Sequence, residues 1–148
     1  MKATLIPAEG TARVVELPEI NAHMEINRLV GGWFDCVNRH GFTAYVHDEG
    51  LLIGLRPNNA ATLITGQVLV GDVVLVGNIS PDGEYDGENY DLPTEMLSEE
   101  FLVMCTAVNM DENLTAEIAP EAEKLAEGGI EFMELDRETF EAMFGEIK

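Results

Sequence analysis

The stretch from Ile20 to Val46 (INAHMEINRLVGGWFDCVNRHGFTAYV) constrains the fold most, because it sets a helical periodicity and a strand-like one on either side of a hard stop. Ile20, Met24, Ile26, Leu29 and Val30 fall on one side of a helical repeat while Asn21, Glu25 and Arg28 fall elsewhere, which predicts a helix over 20–30. Gly31 can take the left-handed cap conformation that other residues resist, so the helix is expected to end there, and Gly32 lets the chain turn away. Trp33–Val37 and Phe42–His47 are rich in aromatic and β-branched residues and flank Asn38-Arg39-His40-Gly41, the pattern of a hairpin. The glycine pair belongs to no GxGxxG or phosphate-loop pattern, so it reads as a helix stop rather than a ligand cradle.

The flanking segments extend the same architecture. Ala3–Ile6 and Ala12–Leu17 bracket Pro7-Ala8-Glu9-Gly10 as an opening hairpin, which Pro18 ends. Asp48-Glu49-Gly50 reads as a turn before the apolar run Leu51–Leu55. Arg56–Asn59 is a loop, since Pro57 lacks a backbone donor and disfavours helix at the residue before it. Ala60–Thr65 reads as a short helical turn. Val68–Gly77 is the most β-prone run, with a tight turn or a bulge at Gly71-Asp72. The fold class is therefore α+β: a mostly antiparallel sheet within 3–77 carrying one packed helix. A chain of 148 residues with 46% apolar content is expected to form a single domain over 1–148.

Composition changes at Asn78. Residues 1–77 hold 8 acids and 5 bases, and residues 78–148 hold 20 acids and 3 bases, within a net charge of −20. Such a chain repels nucleic acid and anionic lipid, so neither is expected as a direct partner. Residues 78–93 (NISPDGEYDGENYDLP) carry five acids and no base and read as a solvated loop, long enough to suggest binding. Beyond it, 94–148 is expected to be an acidic, mainly helical extension. Thr94 would cap a helix bearing Leu97, Phe101, Met104, Cys105 and Val108, with a buried strand over 101–108 as the alternative. Pro120 suits the first turn of a helix over Glu121–Glu127. Ile130–Leu135 reads as a strand, and Asp136 as the cap of a last helix over Arg137–Phe144.

No residue set points to catalysis, a metal or a cofactor. Asp82-x-Glu84-x-Asp86-Gly87 opens like a calcium loop, but the bidentate Glu required at its twelfth position is Pro93. His23, His40 and His47 lack the short recurring spacings of a zinc site. Cys36 and Cys105 stand in apolar surroundings and read as buried free thiols. The longest near-apolar run, Phe101–Val108, is far short of a membrane span, and MKATLIPAEG lacks the apolar core of a signal peptide. A cytoplasmic location is the expectation.

What remains is the acidity itself. The size scaling gives a diameter of about 38 Å for this chain, a length over which duplex DNA carries about 22 phosphate charges. Carboxylates gathered on one side would thus present a basic protein with a nucleic-acid-like field. The candidate surface is 82–100 with 117–141, specifically Asp82, Glu84, Asp86, Glu88, Asp91, Glu99 and Glu100, with Tyr85 and Tyr90 as rigid contacts. The expected partner is a basic protein, for instance a nucleic-acid-binding enzyme. Against this stand a purely solubilising surface, self-association into a homo-oligomer, and a nucleotide or other small-molecule pocket near Trp33, Arg39 and Arg56.

Leu29-Val30-Gly31-Gly32-Trp33-Phe34, Asp48-Glu49-Gly50, Gly54-Leu55-Arg56-Pro57-Asn58 and Gly71–Gly77 together resemble a family of small proteins of bacteriophages and mobile elements in Gram-positive bacteria. The resemblance covers about residues 3–80 and implies an accessory protein; it implies no catalytic residues. Leu29–Phe34 also resembles a short run in the ArdA-type antirestriction proteins, which are acidic DNA mimics.

Overall fold

The computed structural model describes residues 1–127. Five antiparallel strands form one sheet: β1 (Lys2–Ile6), β2 (Arg13–Glu16), β3 (Phe34–Arg39), β4 (Phe42–His47) and β5 (Val73–Gly77), in the order β2-β1-β5-β4-β3. Two hairpins, β1–β2 and β3–β4, flank β5, which pairs with both. Leu75 accordingly stands opposite Thr4 on one side and Ala44 on the other. Because successive side chains alternate, β5 feeds two cores. Val74 and Val76 join Ala3, Leu5, Tyr45, Ile26 and Val30, while Val73 and Leu75 join Ile6, Phe42, Ala44, Val46 and Cys105. With both faces covered, β1, β4 and β5 are almost continuously buried; β2 and β3, at the edges, are not. The α+β class and the antiparallel sheet hold as expected.

Helix α1 (Ala22–Val30) covers one face. It begins later than the expected Ile20, after Asn21 in a left-handed conformation (φ 61°). The buried stripe also differs from the predicted one: Ala22, Ile26 and Val30 face the sheet, whereas Ile20 and Met24 are 80% and 63% exposed. Burying Ile26 contributes about 2 kcal/mol. Gly31 ends the helix at φ 86°, its N–H returning to Asn27 O.

The other face is covered by α2 (Asn59–Thr65) and α3 (Glu99–Asn109), and α4 (Glu112–Glu127) packs against both helices. The apolar run Leu51–Gly54 is a series of turns. Three boundaries differ from expectation. Strand β5 starts only at Val73, because Gly71 (φ 75°) makes a tight turn after the buried Val68–Val70. Thr94–Leu97 is a single 3₁₀ turn, and Ser98 caps α3, accepting the Phe101 N–H at 3.2 Å. Finally, α4 begins eight residues before Pro120, because Asp111 Oδ1 accepts the N–H groups of Asn113 and Leu114. Residues 101–108 are helical, not a strand.

Cys105 is buried, but Cys36 is exposed, correcting the expectation of two buried thiols; both are free. Cys36 sits on edge strand β3, which has a neighbour on one side only. Among the described residues no helix is long and apolar enough to cross a membrane. The strand expected at 130–135 and the helix at 137–144 lie outside the described residues.

Candidate interaction surface

The acidic loop leaves the central strand and returns to it. Gly77 exchanges both backbone hydrogen bonds with Tyr90, at 3.0 and 2.8 Å. Two residues on, the buried Leu92 donates its N–H to Lys2 O, and Lys2 donates its own to Asp91 Oδ1, both within 2.9 Å. The closure needs glycine, since a Cβ on Gly77 would run into the Asp91 carbonyl and stand 3.0 Å from Tyr90 O. The first loop residue is pinned as well, because buried Asn78 donates to Arg39 O and Phe42 O at the β3–β4 turn.

Between these anchors the loop is folded on itself. Ser80 N–H donates to Glu84 O and Gly83 N–H to Ser80 O, each at 2.8 Å, with Gly83 and Gly87 at positive φ. Asp86 accepts the Glu88 N–H through Oδ1 and the Tyr90 hydroxyl through Oδ2. The Tyr45 hydroxyl donates to Asn89 Oδ1 at 2.8 Å, tying the loop to the sheet face that carries α1. The Tyr90 bond lowers the Asp86 carboxyl below its usual range and pushes the Tyr90 phenol up to about 12.

On this frame Asp82, Glu84, Asp86, Glu88 and Asp91 are all exposed, and Tyr85 is 58% exposed. Tyr90 is half-buried with its hydroxyl engaged, so it shapes the loop where Tyr85 is free to touch a partner. Glu99 and Glu100 are exposed in the first turn of α3, in the layer opposite Tyr45 and α1. They approach the solvent from a different layer than the Tyr45-bound side of the loop. Between residues 78 and 127 the one base is Lys124, which meets Glu121 at 3.8 Å. Of the 117–141 segment, 128–141 lies outside the described residues.

Trp33 and Arg39, expected to line a pocket with Arg56, stand at opposite ends of β3. Trp33 precedes β3 and Arg39 ends it, about 20 Å away along an extended chain. Arg39 Nε donates to Thr65 O at 2.8 Å, and Arg56 is occupied by Glu112 at 2.7 Å, with Glu9 at 4.0 Å. The thiols are not activated: burial and then Asp35 raise Cys36, and burial pushes Cys105 up to about 11. Among the described residues no group of three or more His, Cys, Asp or Glu is placed to hold a metal.

One feature escaped the sequence. Glu19, in the link before α1, lines a cavity of about 530 Å³ with Ile79, Pro81, Asn89, Tyr90 and Asp91. Seventy residues separate Glu19 from Tyr90 and Asp91, and no local pattern joins them.

The family model described as a domain of unknown function (DUF3846) matches residues 1–105, which takes in the whole sheet, the acidic loop and the start of α3. No curated protein matches the chain, and no solved structure does.

Proposed function

Because the chain belongs to the DUF3846 family, whose description leaves its activity open, we propose from the site itself that this is a non-enzymatic docking protein. It holds a basic protein against its acidic surface. The observation that carries the proposal is the anchored loop: five exposed carboxylates and Tyr85 displayed on a segment closed by the Gly77–Tyr90 bridge. A loop ordered before binding has less conformational entropy to lose when a partner arrives. The carboxylates steer encounter with a cationic surface, and an exposed tyrosine supplies rigid contact area.

The partner class follows from the charge. A protein that presents a basic, nucleic-acid-binding surface is the partner that the five loop carboxylates would attract. The resemblance to small phage and mobile-element proteins, and the Leu29–Phe34 similarity to ArdA-type proteins, favour a DNA-binding enzyme as that partner.

The test is capture of proteins from a cell lysate on the immobilised chain, run beside the variant D82N/E84Q/E88Q. Asp86 is left intact because it holds Tyr90. Basic proteins retained at low salt, released by salt or by added duplex DNA, and absent from the variant are the expected result. An unchanged set on the variant overturns the proposal.

A further inference from the structure

The cavity between the acidic loop and the link before α1 has the chemistry of a side-chain socket. Two of the residues lining it carry exposed carboxylates, Glu19 and Asp91. Tyr90, Asn89, Ile79 and Pro81 complete the lining. The Met1 amine also borders it, but is held by Leu17 O at 2.7 Å and by Glu16 at 3.4 Å. Two of the walls are fixed in advance. Asp91 Oδ1 accepts the Lys2 N–H, and the Tyr90 hydroxyl is held by Asp86.

An anion is excluded by the two carboxylates, and a wholly apolar group would leave them facing it. A long cation fits: its methylene stem lies on Ile79 and Pro81 while its charged head reaches the carboxylates. Of the two such side chains, arginine matches better, because a planar guanidinium stacks on a tyrosine face and engages carboxylates as a fork. The volume of about 530 Å³ accommodates an arginine side chain with room for bridging water.

We infer that this cavity is the socket for one arginine side chain of the basic partner, with Glu19 and Asp91 binding the guanidinium and Tyr90 stacking on it. The inference rests on the docking function proposed above and adds to it a specific anchor, including Glu19, which lies outside the loop.

The test is an NMR titration of the full chain with N-acetyl-arginine methylamide, beside the lysine and citrulline analogues. Saturable shifts at the backbone amides of Glu19, Ile79, Asn89 and Asp91 are expected with arginine, weaker ones with lysine and none with the neutral citrulline. Glu19→Gln and Asp91→Asn, which keep shape and the Lys2 hydrogen bond, each weaken arginine binding about fivefold. Equal binding of lysine overturns the arginine assignment. Shifts spread over all carboxylates, or equal shifts with citrulline, overturn the socket altogether. Should the D82N/E84Q/E88Q variant lose its captured proteins while arginine gives no local shifts, the docking function stands and the socket falls.

Discussion

Gly77 and Tyr90 form a one-residue antiparallel bridge, the N–H of each donating to the carbonyl of the other at 3.0 and 2.8 Å. This bridge joins the fully buried strand β5 to the acidic loop, so the loop's order is tied to the stability of β5.

Gly77→Ala tests that link. The new methyl has the Asp91 carbonyl in its path, and either the loop base or the strand end must move, at a cost of about 2–3 kcal/mol. The expected result is a lower denaturation midpoint together with faster amide exchange at Gly77, Tyr90 and Leu92. An alanine tolerated with unchanged exchange would mean that the loop closes without this contact.

The Tyr90–Asp86 bond predicts a pH window for the loop. The Asp86 carboxyl is held low, so its contribution is present above the ordinary carboxylate range and is lost as pH falls through the lowered value. Tyr90 is held high, so its contribution is present below the ordinary tyrosine range and is lost as pH rises through about 12. Following the ring carbons of Tyr90 by NMR should give a midpoint near 12, brought back toward the ordinary range by Asp86→Asn. Tyr45, raised first by its burial, should not respond to that substitution.

Thiol chemistry gives a direct check on the two faces of the fold. A disulfide reagent should label one cysteine per native chain, Cys36, and reach Cys105 only on unfolding. Labelling of Cys36 should be slower than that of a free thiol at the same pH, because burial and Asp35 keep it protonated. A Cys36→Ser chain that still labels rapidly in the native state would contradict the packing of α3.

A buried asparagine pair holds α3 to the rest of the molecule. Asn58 donates to Ile6 O and Gly71 O and accepts from Ala61 N and Asn109 Nδ2, while Asn109 also reaches Pro7 O and Ala60 N. Asn58→Asp removes the donors and leaves an acid facing two carbonyls, costing about 3 kcal/mol or more at neutral pH. Because burial raises that carboxyl's pKa, the variant should regain stability as pH is lowered. A variant whose stability does not depend on pH would show that the site admits water.

Features carried by local signals were legible in the sequence, and those that depend on tertiary neighbours were not. The helix stop at Gly31, the two hairpins and the helix over 101–108 were legible from periodicity and turn residues. The exposure of Cys36 was not, because nothing within Trp33–Val37 says that its strand lies at the sheet edge. Nor was the phase of α1, which is set by packing of Ile26 and Val30 on the sheet. The exposed, acidic character of the 78–93 loop was legible from composition alone. Glu19 was missed because its proximity to Tyr90 comes from tertiary structure, through the return of the chain at Gly77.

Pro120 shows the same conflict between local rule and tertiary context, and it yields the last prediction. The rule places proline in a helix's first turn, yet Pro120 lies in the interior of α4, where no N–H can reach the carbonyl of Ala116. The helix continues through it because Asp111 caps the start and because Thr115, Ile118 and Ala122 are buried on either side of it. An interior proline costs about 3 kcal/mol, partly offset by about 0.4–1 kcal/mol from its restriction of the unfolded chain. Pro120→Ala should therefore stabilise the protein by about 2–2.5 kcal/mol, read as a higher denaturant midpoint with an unchanged slope. A destabilised variant would mean that the proline ring contributes packing that a methyl group does not replace.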